Sequence, residues 1–378
     1  MQHPDFSTLG GEELLKRLQE YCVRKGVSDI HTSPEKTEVR LEIRLHGMLD
    51  ALKPISHATY TDFMRRVKFL SKLKLNITNI PQDGQYTFQV QEPATSNQQP
   101  VTERTVNVRV ATIPSRFGET TTLRLLDPKR GIIPLEELGF PKEIHEKLAE
   151  LIHLPNGLIL VTGPTGSGKT TTLYSLLSTI IGTKRNIITL EDPIEYEISG
   201  IVQSEVDPDH DYTFATGLRS ILRHDPNVIL VGEIRDLETA QTAIDAALTG
   251  HIVLATLHTN SAVEAIPRLL SMGVSPYTFA PSLRGILAQR LVRTLTEAYR
   301  TEATPYDPMN PDIYGGRCVV PELFVVSPRI REMILTQELA STLLEQATKE
   351  GYRTMRQWGE SMVTTRITTR EELERVTM

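Results

Sequence analysis

The residues Gly163-Pro164-Thr165-Gly166-Ser167-Gly168-Lys169-Thr170-Thr171 fit the pattern G-x-x-x-x-G-K-[ST] and could do chemistry on a nucleotide. Glycines let the backbone curl so that successive N–H groups point inward, which makes a cradle for phosphate oxygens. Lys169 would reach the β- and γ-phosphates, Thr170 would ligate Mg²⁺, and a helix opening there would add the positive end of its dipole. A glycine-rich strand-to-helix turn can match this pattern by chance, so the flanks matter. An apolar run from Gly157 to Thr162 precedes the loop and a helix-like run from Thr171 to Ile181 follows it, which is the context phosphate binding needs.

Acids and histidines stand at the ends of further apolar runs. Ile229-Leu230-Val231-Gly232 ends in Glu233, placed to hold a Mg²⁺ shell or a water, with Glu where Asp is more usual. Thr189 to Tyr196 carries Glu191, Asp192 and Glu195 just past another apolar run. A carboxylate at a strand end suits the orientation or deprotonation of an attacking water, although acidic turns are also common on surfaces. Thr249 to Thr259 is an apolar run bracketed by His251 and His258. A histidine there can donate to a γ-phosphate and report its loss, or simply satisfy a neighbour, and for His251 both readings stand.

These side chains need a scaffold that brings strand ends together. Runs at 158–162, 186–191, 228–232 and 252–257 alternate with helical spacing at 168–181, 213–223, 236–248 and 262–272. That alternation predicts β-α-β crossovers and a parallel sheet covered on both faces, with ligands at the carboxyl ends of its strands. Past Pro276 the chain reads as largely helical, with a loop over 305–316, helices from Ser327 and from Glu338, and an amphipathic tail over 370–376. Ahead of this part, 12–25 and 59–75 read as helices, and 38–45, 48–52, 86–90 and 105–111 as strands. The polar stretch 92–100 between the last two reads as an exposed hairpin loop. A mixed α/β domain over 1–126, a linker over 127–140 with two prolines and two glycines, and a second domain over 141–378 result.

With 378 residues the chain is too long for one ordinary core. A net charge of −6 with dispersed acids and bases gives no support to an obligate nucleic-acid partner. The two cysteines, Cys22 and Cys318, lack C-x-x-C spacing and read as free thiols in a reducing compartment. A basic segment followed by an apolar core is lacking at the N-terminus, and no apolar stretch approaches the ~20 residues of a membrane span. Both point to a soluble cytoplasmic protein.

Four long stretches in order (163–174, 191–196, 218–236 and 249–260) closely resemble the secretion-ATPase family, whose members drive type II secretion and type IV pilus assembly or retraction. They look like its Walker A, Asp box, Walker B and His box. Ser28-Asp29-Ile30-His31, Ile80-Pro81-Gln82-Asp83-Gly84 and the ending Arg366 to Leu373 resemble the secretion and pilus-assembly (GspE/PilB-type) branch, so the likeness spans nearly the whole chain. It implies a RecA-like P-loop motor domain with a helical C-terminal part, preceded by a smaller mixed α/β (PAS-like) domain. It also implies a homohexameric ATPase, using ATP and Mg²⁺, peripheral at the inner face of the cytoplasmic membrane. Such rings turn a membrane platform protein to insert or extract pilin-like subunits. By the same likeness Lys169 and Thr170 bind phosphate and Mg²⁺, Glu195 is the catalytic carboxylate, Glu233 the Walker B acid, and His258 the histidine near the γ-phosphate. Arg109, with Arg124 second to it, matches an arginine that reaches the nucleotide and stabilises developing charge.

The chain departs from the family pattern in three places. Gln85 stands where the family has an arginine after Pro-Gln-Asp-Gly, the paired C-x-x-C motifs of many assembly ATPases are missing, and with Ser-Asp-Ile-His so near its start the sequence is expected to lack their extra N-terminal domain. No zinc is therefore expected. Other readings are a retraction motor, a nucleic-acid translocase, and a ring that binds nucleotide without hydrolysing it. Pro-Gln-Asp-Gly leans towards assembly while the short length and missing cysteines lean towards retraction, and the carboxylates lean towards hydrolysis while Gln85 supports the idle ring.

Overall fold

The computed structural model describes residues 3–91, 103–301, 307–308 and 310–377. The hairpin loop expected over 92–100 lies outside these residues, as does part of the loop expected over 305–316. Within them no helix is long and apolar enough to cross a membrane. The chain forms two compact units, Met1–Gly131 and Ile132–Met378.

In the first unit come α1 (Gly11–Lys25), β1 (Val27–Pro34), β2 (Val39–Leu45), β3 (Met48–Ala51), α2 (His57–Leu70), β4 (Gln82–Gln91), β5 (Glu103–Ser115) and β6 (Gly118–Leu126). Helix α1 forms because Leu14, Leu15, Leu18 and Cys22 recur at helical spacing on one buried face, and it stops at Gly26, whose φ of 82° is left-handed. Ser56 caps α2 by accepting from the Thr59 N–H at 3.1 Å. Among the described residues the strands make an antiparallel six-stranded sheet in the order β3-β2-β1-β6-β5-β4. Ile30, Leu41, Ile43, Val106, Val108, Val110 and Leu123 are buried in one core with α1 and α2. Alternation then puts Asp29, Arg44, Arg109 and Arg124 on the other face. Strands β1 and β6 carry too many polar residues to stand out in the sequence.

In the second unit come α3 (Lys142–Ile152), β7 (Gly157–Thr162), α4 (Lys169–Ser178), β8 (Ile187–Glu191), β9 (Val202–Glu205), α5 (Phe214–Ile221), β10 (Val228–Val231), α6 (Leu237–Leu248), β11 (Ile252–Leu257), α7 (Ala265–Ser271) and α8 (Pro276–Ser282). After these run β12 (Leu283–Leu295), α9 (Glu297–Thr301), β13 (Tyr314–Val325), α10 (Pro328–Leu335), α11 (Ala340–Lys349), α12 (Met355–Thr364) and α13 (Arg370–Thr377). The described strands form a seven-stranded sheet, β13-β12-β7-β11-β10-β8-β9. Every neighbouring pair is parallel except β12 with β13. Strands β7, β8, β10 and β11 are buried at every position, as strands covered on both faces must be. Leu135 and Leu138, inside the stretch read as linker, are buried in this unit's core, so only the residues about Gly131 lie between the two units.

One expectation needs a correction in part. The described region past Pro276 carries helices α8 to α13, but Leu283–Leu295 and Tyr314–Val325 within it are long paired strands. Leu283, Ile286, Leu287 and Leu291 fall at helical spacing, which misleads a reading by period. Strand β12 pairs with β7 on one edge and β13 on the other, and its residues 285–289 are buried in succession, so it is covered on both faces there and has no need of alternation. Tyr314 to Gly316, read as loop, open β13, and helix α12 lies where no helix was read.

Candidate functional site

The loop from Gly163 to Gly168 joins the buried end of β7 to α4. Gly163, Gly166 and Gly168 have φ of 148°, 80° and 89°, a left-handed path that side chains rarely adopt. At Gly163 a Cβ would also stand 2.6 Å from both the Gln289 carbonyl oxygen and Ser167 Oγ, so glycine is required there twice over. Pro164, Thr165 and Gly166 are exposed, Ser167 is buried, and Thr170 and Thr171 are half-buried at the start of α4. Lys169 folds back over the loop, its Nζ donating to the Gly163 carbonyl at 2.9 Å and the Pro164 carbonyl at 3.2 Å. Burial pulls its ammonium below the usual lysine range, with Arg290 adding to the effect and Glu233 opposing it. A phosphate arriving here would offer the lysine better acceptors than two carbonyls, so the loop fits a nucleotide's phosphates.

Glu233 follows β10 and is mostly buried. The turn that holds it is stitched at 2.7 Å from the Gly232 N–H to the Leu190 carbonyl and at 2.6 Å from Thr256 Oγ1 to the Gly232 carbonyl. Its carboxylate pairs with Arg235 and lies 3.8 Å from His258 Nε2. Burial holds the His258 ring below the usual histidine range, helped by Lys169 and Arg235 and opposed by Glu233, which keeps the imidazole neutral near pH 7. Thr162 Oγ1 accepts from the Thr259 N–H at 2.8 Å and lies 3.0 Å from the Leu257 carbonyl. That contact ties the phosphate loop's root to the histidine segment. Lys169, Glu233 and His258 thus meet at the carboxyl ends of β7, β10 and β11.

The three carboxylates after β8 separate in role. Glu191 is 4% exposed and accepts from Tyr174, from Thr189 Oγ1 at 2.6 Å and from Gln203 Nε2 at 3.2 Å. Burial raises its carboxyl above the usual range despite those donors, and nearby Glu195 adds to the rise. Asp192 lies 3.6 Å from Arg235, and Glu195 is half-buried in the irregular stretch that follows. Glu191 is therefore occupied by structure within the buried strand, whereas Glu195 lies outside the strand. His251 sits at the amino end of β11, the far end of the sheet from the loop, with Nδ1 2.9 Å from the Ala246 carbonyl that closes α6. Its structural reading is the one its position supports.

Arg109 belongs to the first unit. It lies on β5 opposite Gln85 of β4 and Arg124 of β6. Arg124 Nε donates to Asp29 at 3.0 Å, with Arg44 Nε 3.6 Å from the same carboxylate, so the Ser-Asp-Ile-His aspartate anchors a row of guanidiniums across the sheet. Both cysteines are free and buried; burial raises the Cys22 thiol and pushes that of Cys318 up to about 12.

Residues missed by reading the sequence come from β12 and the turn after Glu233. Gln289 Nε2 donates to the Ser167 carbonyl at 2.8 Å, and Arg290 reaches the Asn260 carbonyl at 3.1 Å. Arg235 bridges Asp192 and Glu233. No local pattern marks Gln289 or Arg290, because their proximity depends on β12 pairing with β7.

A parallel sheet with a phosphate loop, its lysine and an acid gathered at the strand ends defines a phosphate-loop nucleoside triphosphatase. The sequence profile described as "Type II/IV secretion system protein" matches residues 10–375. "Type II secretion system protein HxcR" of Pseudomonas aeruginosa is 42% identical over 370 residues, covering 96% of this chain and 76% of that protein. "Type II secretion system ATPase E" of Vibrio cholerae is 39% identical over 388 residues, covering 97% and 75%. Among solved structures, the pilus retraction motor PilT with bound ADP has a TM-score of 0.68 at 31% identity, covering 97% of each chain. The ATPase DotB of Legionella pneumophila, at 23% identity, shows the same fold with a TM-score of 0.74 over 99% of this chain and 97% of that one. The chain belongs to the type II/IV secretion system protein family and is an ATP-hydrolysing secretion or pilus motor.

Proposed function

We propose that the protein works as a homohexameric ring that couples hydrolysis of Mg²⁺-bound ATP to assembly of a type II secretion pseudopilus or related filament through a membrane platform protein. The observation that carries the reading is the meeting of Lys169, Glu233 and His258 at the strand ends beside the loop. In this reading the N–H groups of 163–171 and Lys169 hold the phosphates, and Thr170 and Glu233 hold Mg²⁺. Glu195 orients the attacking water, and a neutral His258 donates towards the γ-phosphate. Arg109 takes the arginine role implied by the resemblance, and the two units move as rigid bodies about the residues near Gly131. The identities near 40% to type II secretion proteins, against 31% to the retraction motor, favour assembly.

The test is steady-state ATP turnover together with size measurement in the presence of an ATP analogue. Lys169→Ala should abolish nucleotide binding, and Glu195→Gln should bind but not turn over. A hexamer should form with the analogue. Normal turnover in either variant would overturn the site assignment, and a persistent monomer at high concentration would overturn the ring. Stimulation by DNA but not by fragments of a multi-span membrane protein would turn the reading to a translocase.

A further inference from the structure

Strand β12 lies beside the phosphate-loop strand, with Ala288 opposite Thr162, so the next residue, Gln289, comes alongside the loop itself. Gln289 is fully buried, and its Nε2 donates to the Ser167 carbonyl at 2.8 Å. The Ser167–Gly168 peptide is planar and trans, so its carbonyl and its N–H point in opposite directions. A carbonyl tied to β12 therefore turns the Gly168 N–H away from Gln289. The opposite amide orientation is excluded, since it would set Gln289 Oε1 against the same carbonyl. Gln289's main chain fixes a second point of the loop, because its carbonyl oxygen leaves no room for a side chain at Gly163.

Two further observations separate this contact from ordinary packing. Gln289 Oε1 and Ser167 Oγ are both buried with no hydrogen-bond partner among the described residues, an arrangement a core would lose nothing by replacing with apolar groups. The neighbouring Arg290 joins the Gln289 carbonyl at 3.1 Å to the Asn260 carbonyl at 3.1 Å, which links the loop's brace to the segment just after His258.

We propose that Gln289 is a positioning residue for nucleotide binding: its side-chain amide sets the Ser167–Gly168 peptide so that the Gly168 N–H faces the phosphates. The inference rests on the loop at 163–170 being the nucleotide site. Because the N–H would meet a phosphate equally in ground and transition states, its loss should raise KM and leave kcat nearly unchanged.

The experiment compares Gln289→Met, close in size but without a donor, and Gln289→Glu, which turns an acceptor on the carbonyl. MgADP titration, ATP kinetics and thermal melting without nucleotide are the readouts. The Met variant should melt near the wild type, bind MgADP about tenfold more weakly and show a KM raised by about the same factor, the size of one lost hydrogen bond to a charged group. The Glu variant should bind more weakly still. Wild-type KM and MgADP affinity in the Met variant would overturn the proposal. So would a Met variant that melts far below the wild type, because that makes Gln289 a stability residue. Lys169→Ala run alongside separates the two assignments: if it binds MgADP normally the site itself is wrong, and if it loses binding while Gln289→Met does not, only the brace is wrong.

Discussion

Replacing Glu191 by alanine and Glu195 by glutamine should divide one acidic motif into a structural and a catalytic half. Glu191 is 4% exposed, and two of its three donors, the hydroxyls of Tyr174 and Thr189, belong to residues that are 0% exposed. Deleting the carboxylate strands these hydroxyls and the Gln203 amide, at about 1–3 kcal/mol for each buried group left unsatisfied. Allowing for partial re-pairing, the loss is about 3–5 kcal/mol, a large share of the ~5–15 kcal/mol that holds a domain folded. At about 2–4 °C per kcal/mol for a unit of this size, the second unit should melt roughly 10–15 °C lower. Glu195 is half-buried outside the strand, so Glu195→Gln should barely shift the melting temperature while turnover falls by about 10²–10⁴-fold, the range of a lost general base. Calorimetric melting and a phosphate-release assay read both effects. Melting of Glu191→Ala close to the wild type, or normal turnover of Glu195→Gln, would refute the division.

The same carboxyl predicts a pH signature. Its folded pKa is raised by burial, so its contribution to stability is fully present below the unfolded value of about 4.3 and is lost as pH rises through the folded value. Stability of Glu191→Gln relative to wild type should therefore improve as pH rises from about 4 to 7 in denaturant melts, and a difference independent of pH would contradict this. His258→Ala should lower turnover. Wild-type turnover should also fall on acidification below the ordinary histidine pKa of about 6.5, where the His258 ring begins to charge. His251→Ala should leave turnover unchanged and cost about 1 kcal/mol of stability, the worth of its bond to the Ala246 carbonyl, as urea titration would show.

Much of the motor was legible because its chemistry sits in contiguous stretches. The loop at 163–170, the apolar run before Glu233 and the run ending at His258 each pair a strand with the residue just past it, and a parallel sheet brings such ends together. Helix α1 and strand β2 were legible from period alone, since each buries one face. The long hairpin of β12 and β13 was not, because a strand covered on both faces loses the alternation that would announce it.

What the sequence by itself determined is the class of chemistry: a backbone cradle, a lysine and carboxylates at strand ends, which follow from residue type and short spacing. Only the tertiary structure decided which carboxylate is held by structure, which histidine faces the loop, and what stands behind the loop. Glu191 is bound up by Tyr174 and Gln203, His251 closes a helix at the far end of the sheet, and Gln289 braces the Ser167 carbonyl from 122 residues away. Those distinctions depend on burial and on contacts between distant segments, and neither exists until the strands are laid side by side.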